Sequence, residues 1–304
     1  MSAPTLAITG ATGFVGQVLV RKALAEGWQV RALTRSAQPQ TAGVTWVRGS
    51  LETPDSLVDL VQGCDAIIHV AGVVNAPDRA GFEAGNVAGT LGVVEAARKA
   101  GVERFIHVSS LTAREPELSD YGWSKAKAET IVAASGLDWT IIRPTGVYGP
   151  GDAEMRDLYR MAQRGFVLMA PKAQVSLIEV SDLARLLLAV IAVPETRSQV
   201  YEADDGRAGG WSLGEYGKAI GRAVGKRVSV WHLPPFILRF AARVDRSVRG
   251  KAAKLTADRV AYLCHPDWTV DPTRRVPLEI WQPAVRTVEG LKATAAAYRA
   301  VGWL

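Results

Sequence analysis

Short apolar runs alternate with longer stretches in which apolar residues return every three or four positions, and this rhythm persists through roughly the first 200 residues. The runs at 5–9, 28–34, 44–47, 66–70, 104–109, 138–143 and 175–179 predict strands, and the stretches at 14–26, 53–62, 82–100, 121–135 and 181–192 predict helices. Gly27, Gly63, Gly101 and Gly136 each fall just past a helical stretch, where a left-handed C-cap favours glycine. Strands alternating with helices predict an α/β fold with a doubly wound parallel sheet. Beyond residue 200 the rhythm stops, and prolines gather at Pro234-Pro235, Pro266, Pro272, Pro277 and Pro283. The expected organisation is a main domain over 1–200, with an excursion near 150–175, and a smaller C-terminal lobe over 201–304, a ligand cleft lying between them.

Composition narrows the class. With 48% apolar residues in 304, the chain can bury a full core and is neither disordered nor fibrous. Cys64 and Cys264 have no metal-type spacing, which predicts apolar filler positions, no metal site and a reducing cytoplasm. The first five residues lead straight into the opening strand and leave no room for a secretion signal, and the longest apolar stretch, Leu186–Val193, is too short to span a bilayer. The expected location is the cytoplasm, with no integral membrane segment.

The net charge is +6 and the pI near 9.4. Part of the excess lies in one stretch holding Arg239, Arg243, Arg246, Arg249, Lys251, Lys254 and Arg259. Such a basic helix is either a solvated face or a contact for an anionic cofactor, an acidic partner or a membrane surface. No interleaving of basic and aromatic residues speaks for nucleic acid.

Chemistry enters with Thr9-Gly10-Ala11-Thr12-Gly13-Phe14-Val15-Gly16, a Gly-x-x-Gly-x-x-Gly turn directly after the first apolar run. The first glycine permits a tight strand-to-helix reversal, the second admits a pyrophosphate close to the backbone, and the third lets helix pack on strand. The helix that follows aims free N–H groups and its positive dipole end at the phosphates, so a dinucleotide is the expected ligand. At the tip of the second strand an acid would favour a free ribose 2′-hydroxyl. Here stands Arg35, with no carboxylate before Glu52, and a planar, permanently charged guanidinium favours the 2′-phosphate of NADP.

Tyr121-Gly122-Trp123-Ser124-Lys125 sits in a helical stretch, so the phenol and the ammonium share one face a turn apart. A tyrosine exchanges its proton poorly at neutral pH unless a nearby positive charge stabilises the anion, and Lys125 can supply that charge. Upstream, Val108-Ser109-Ser110 closes a strand at the edge where open parallel sheets bind ligands.

Together these three features resemble the short-chain dehydrogenase/reductase superfamily. The segments Asp65–Gly72, Asn86–Thr90 and Arg143–Asp152 are similar to its extended branch, and the resemblance covers residues 5 to about 190. It implies a Rossmann sheet binding NADP and a C-terminal lobe binding a small-molecule substrate. Tyr121 would be the acid/base, Lys125 would hold the nicotinamide ribose and lower the phenol pKa, and Ser110, rather than Ser109, would hydrogen-bond the reacting oxygen. Gly10, Thr12, Gly13, Phe14, Val15, Gly16, Arg35, Ser50, Leu51, Val70, Ala71, Gly72, Asn86, Val108, Lys125, Pro144 and Val147 would contact the cofactor.

Two departures stand out. Ser50 replaces the aspartate that usually meets the adenine amine, which weakens the expectation for adenine recognition, and the interval from Ser110 to Tyr121 is shorter than in most nucleotide-sugar epimerases. Within the branch the motifs are most similar to dihydroflavonol-reductase and 3β-hydroxysteroid-dehydrogenase-like groups. The implied reaction interconverts a ketone or aldehyde and an alcohol on an apolar molecule. A nucleotide-sugar epimerase or dehydratase, for which Arg156, Arg160 and Arg164 could bind the pyrophosphate, and a non-catalytic NADP-binding sensor or assembly subunit stay open, as does a homodimer. Trp211, Trp231, His232, Phe236 and Trp268 are expected either to line an apolar pocket or to fill core, and His69 and His107, inside strands, to be buried.

Overall fold

A computed structural model describes residues 3–304, the side chain of Lys251 excepted. In chain order the elements run β1 (Thr5–Thr9), α1 (Phe14–Ala25), β2 (Gln29–Thr34), β3 (Val44–Arg48), α2 (Pro54–Val61), β4 (Ala66–His69), α3 (Arg79–Phe82), a π-helical turn (Glu83–Ala88), α4 (Gly89–Ala100), β5 (Arg104–Val108), α5 (Asp120–Ala133) and β6 (Asp138–Pro144). They continue with β7 (Gly146–Tyr148), α6 (Arg156–Gln163), β8 (Phe166–Met169), β9 (Gln174–Val175), β10 (Leu177–Glu179), α7 (Val180–Ala189) and β11 (Gln199–Ala203). Last come β12 (Trp211–Ser212), α8 (Leu213–Ala223), β13 (Ser229–His232), α9 (Pro235–Arg249), α10 (Ala257–Leu263), β14 (Asp267–Trp268) and α11 (Thr287–Ala300).

The central sheet is parallel and seven-stranded, in the order β11-β6-β5-β4-β1-β2-β3. Strand order reverses between β1 and β4, whose last residues, Thr9 and His69, are register partners. Loops leaving two neighbouring strands in opposite directions open a crevice at their C-terminal ends, which is where the glycine turn lies. Under the sheet, Leu57, Leu60, Ile67, Val93, Phe105 and Ile141 are buried in one apolar cluster, so each amphipathic helix is pinned by its own inner face. Gly101, with φ +71°, ends α4 in the left-handed conformation expected of it.

One expected strand is displaced. The run at 175–179 breaks at Ser176, and neither half joins the central sheet: β9 pairs with β12 and β14, and β10 pairs with β7. The reason is polar. Ser176 is buried, its hydroxyl donates to Asp204 at 3.0 Å and accepts from Val270 N at 3.2 Å, and these bonds pull the chain out of a regular ladder. The seventh strand of the sheet is β11, which the alternation did not reveal.

Two compact units result: residues 1–143, 183–201 and 276–281, and residues 144–182, 202–275 and 282–304. The excursion of the second unit is therefore longer than the 150–175 expected. Its core gathers Tyr148, Tyr159, Met169, Trp211, Tyr216, Leu291 and Tyr298. Of the residues expected to line a pocket or fill core, Trp211 is core, with its indole N–H donating to Asp205 at 2.9 Å, whereas Trp231 and Phe236 are exposed and do neither. The half-buried Trp268 donates to the Tyr262 carbonyl at 2.8 Å, and His232 is bonded to the Ala170 carbonyl at 2.8 Å. Cys64 and Cys264 are only half-buried, but burial still raises both thiol pKa values, that of Cys64 to about 11. Among the described residues no helix is long and apolar enough to cross a membrane.

Candidate active site

The turn after β1 brings two backbones into contact. Gly10 adopts φ +70°, and a Cβ there would stand 2.7 Å from Ala71 N; a Cβ on Gly16 would stand 2.0 Å from the Gly10 carbonyl oxygen. Only glycine fits either place. Gly13, where a Cβ would meet the same oxygen at 3.3 Å, caps α1 without any side-chain hydrogen bond, and the first turn of that helix carries no acid. Thr12 and Gly13 are exposed, and Phe14 and Val15 half-buried. The first N–H groups of the helix are thus left for an anion, and the cradle fits the pyrophosphate of a dinucleotide.

Arg35 follows β2, exposed and without an ion pair to another described residue, in a bend where Thr34 Oγ1 donates to Ser36 O at 2.7 Å. Ser50 shapes the turn before α2: its hydroxyl lies 3.1 Å from that of Thr53 and accepts from Glu52 N at 3.3 Å. Leu51 is a packing residue, since a Cβ on Gly89 would meet its Cδ1 at 2.7 Å.

Behind Gly10, a chain of buried polar groups orders the end of β4. Ala71 N donates to Thr9 Oγ1 at 3.1 Å, and that hydroxyl lies 2.7 Å from His69 Nδ1. On the other side, His69 Nε2 lies 3.1 Å from Thr90 Oγ1, which donates to the Asn86 carbonyl at 2.6 Å. Thr90 has spent its proton, so Nε2 must carry one, and Thr9 donates to Nδ1. The imidazole is neutral, because burial, reinforced by the Lys125 charge, drops its pKa to about 3. His69 is structural, and Thr9 and Thr90, which sequence reasoning passed over, hold it.

The π-helical turn sets the next residue. A regular helix over 82–100 was expected; the extra residue per turn between Glu83 and Ala88 instead buries Asn86. Its Oδ1 accepts from Val73 N at 2.6 Å, and its Nδ2 donates to Val73 O and Ser124 Oγ, both at 2.9 Å. Ser124 in turn donates to the Tyr121 carbonyl at 2.8 Å. Gly72 is the open corner of this group: a Cβ there would lie 3.0 Å from Asn86 Oδ1 and 3.8 Å from Lys125 Nζ.

α5 starts at the Ser119 cap, whose hydroxyl accepts from Gly122 N at 3.0 Å. Gly122 lets the helix press against the loop, since a Cβ there would stand 2.7 Å from the Thr112 carbonyl oxygen. That contact brings Tyr121 to Ser110, and the two side chains hydrogen-bond. Ser110 Oγ also accepts from Thr112 N at 3.2 Å and from Thr112 Oγ1 at 2.9 Å. The Tyr121 ring rests 6.0 Å from that of Phe82. One turn on, buried Lys125 donates to the Val108 carbonyl at 2.7 Å, and desolvation lowers its pKa to about 8, with Glu129 opposing.

The tyrosine corrects one expectation. Burial pushes its pKa above the usual 10, and the Ser110 bond pulls it only part of the way back, while the ammonium meant to lower it is turned to Val108. At neutral pH the phenol keeps its proton.

Ser109 and Ser110 point to opposite sides. Ser109 is buried on Glu129, which Arg143 grips with two bonds, 2.9 and 2.6 Å. His107 is wholly buried, stacked 5.4 Å from His69, and held neutral by desolvation. Pro144 ends β6 and Val147 lies in β7, in register with Ile178; both belong to the second unit.

The sheet and the glycine turn define a Rossmann-type dinucleotide-binding fold. An NAD(P)H-binding family model matches residues 10–194. The ceramide reductase of Caulobacter vibrioides (strain NA1000 / CB15N) is 37% identical over 98% of this chain and 96% of its own, and the UDP-glucose 4-epimerase of Vibrio cholerae is 28% identical over 97% and 95%. The solved structure of MoeE5 in complex with UDP-glucuronic acid and NAD superposes with a TM-score of 0.76, at 23% identity, over 98% of this chain and 99% of that one. The chain belongs to the NAD(P)H-binding extended short-chain dehydrogenase/reductases, the epimerase/dehydratase family, and is an oxidoreductase of that type.

Proposed function

We propose that the protein is an NADPH-dependent reductase that turns a ketone or aldehyde on an apolar, lipid-like molecule into an alcohol. The observation that carries this reading is the hydrogen-bonded pair Ser110–Tyr121, whose phenol stays protonated at neutral pH. A neutral phenol is the form that gives a proton to a nascent alkoxide, which is the reductive direction.

Bound NADPH would supply the hydride. The start of α1 would hold its pyrophosphate, Arg35 the 2′-phosphate, and Lys125 the nicotinamide ribose. Ser110 donates a hydrogen bond to the substrate oxygen and positions it, and Tyr121 delivers the proton to that oxygen. Asn86, through Ser124, holds the first turn of α5 and so the phenol's position.

The substrate class rests on likeness to the relative named ceramide reductase, of similar length throughout. Sugar-nucleotide chemistry has less support in the residues: Arg160 donates to the Trp303 carbonyl at 2.9 Å, and both it and Arg156 lie 3.8 Å from Asp157. The test is NADPH oxidation against ketones of increasing hydrocarbon length, with UDP-sugars as competitors. Affinity should rise with chain length, at about 25 cal/mol per Å² of apolar surface buried, and Tyr121→Phe should abolish turnover while NADPH still binds. Turnover of UDP-sugars with no response to apolar carbonyls overturns the proposal.

A further inference from the structure

α9 presents two apolar faces, and the fold covers one. Leu238 and Ala242 are buried against Val260, Leu233, Leu255, Cys264 and Ala170. The other face is bare: Phe236 is 69% exposed, Ile237 38%, Phe240 65%, Val244 46% and Val248 77%. Phe236, Phe240, Val244 and Val248 are four apart, so they form one stripe along the helix, about 18 Å long. Single exposed apolar residues are ordinary on a protein surface, but five on one helix face are not. Trp231, 64% exposed at the end of β13, adds an indole just before the helix.

Arg239, Arg243 and Arg246 run beside the stripe, exposed and without an ion pair to another described residue. The only acid of the helix is Asp245, which accepts from Lys254 N and Leu255 N at 2.8 and 2.9 Å and pairs with Arg249 at 3.1 Å. The bare face is therefore apolar and cationic, with no free carboxylate. A second copy docking on this face would bring arginine rows together with no acid on the helix to meet them.

We propose that α9 is a membrane-docking helix that lies in the surface of a bilayer containing anionic phospholipid. Its phenylalanines and valines enter the boundary between headgroups and acyl chains, its arginines meet lipid phosphates, and Trp231 sits at headgroup level. The helix rests on the surface and does not cross it. A bilayer supplies both halves of the complement at once: an apolar layer for the stripe and a negatively charged plane beside it.

The experiment is co-sedimentation of the full chain with vesicles of phosphatidylcholine alone, or of phosphatidylcholine and phosphatidylglycerol in equal parts. The protein should pellet with the mixed vesicles, and added salt should weaken the binding. Each of Arg239→Gln, Arg243→Gln and Arg246→Gln should weaken it about fivefold. The double variant Phe236→Ser, Phe240→Ser should lose binding to both vesicles while its circular-dichroism melt stays unchanged, since both rings are already in water. Failure to pellet with the mixed vesicles, or full binding by the double variant, overturns the proposal. So does a dimer by light scattering that the double variant dissolves with vesicle binding intact. None of these readouts involves turnover, so the proposed reaction can fail while this inference stands.

Discussion

Ser109 donates from its hydroxyl to Glu129 at 2.5 Å, deep between β5 and α5, and so leaves the adjacent Ser110 as the hydroxyl that faces Tyr121. One serine braces the loop, and the other has the working role in the proposed reaction. Ser109→Ala should cost about 1–3 kcal/mol of stability, because it removes a partner from a buried carboxylate, with little change in kcat. Ser110→Ala should lose roughly 10² in kcat, with about 0.5–2 kcal/mol of stability lost with the cap on Thr112 N. Urea titration and steady-state kinetics on both variants separate the two roles, and a reversed pattern would refute the assignment.

Lys125 gives the site a pH signature. Its folded pKa of about 8 lies below the 10.5 of the free side chain, so between those values the unfolded chain binds more protons and stability rises with pH. Below pH 8 burial of the charge costs on the order of 3 kcal/mol. Lys125→Met should therefore melt higher than the parent at pH 7, with the difference shrinking towards pH 10.5. Melting curves of both proteins across this range check it; a difference independent of pH contradicts the buried charge.

Arg35 is expected to choose the cofactor. Nicotinamide fluorescence titrations should show NADPH bound more tightly than NADH, and Arg35→Ala should remove at least about tenfold of that preference, the usual worth of a charge-assisted phosphate contact. Equal affinity of the parent protein for both cofactors would rule the role out.

Gly122 tests the geometry of the proton donor. A methyl group there would press within 2.7 Å of the Thr112 carbonyl, so Gly122→Ala should push α5 off the loop and part Tyr121 from Ser110. The expected result is kcat down by about 10² with cofactor affinity nearly unchanged, since a displaced acid loses its proton-transfer geometry. Unaltered kcat would show that the contact does not position the phenol.

Local patterns in the sequence were enough for the alternating strands and helices of 1–143, the glycine turn, the Arg35 position and the Tyr121–Lys125 face, because each follows from backbone conformation or from spacing within a single element. Tertiary structure decided the rest. The inward turn of Asn86 depends on a π-helical residue that no periodicity announces, and the proton order of Thr9, His69 and Thr90 depends on three segments meeting. Ser176 left the sheet because its partners, Asp204 and Val270, are far along the chain. The raised pKa of Tyr121 reflects burial, which only assembly creates, and which outweighs the Ser110 hydrogen bond. Likewise, the sequence of α9 showed a basic helix, but which of its two apolar faces the protein itself covers was settled by packing against α10.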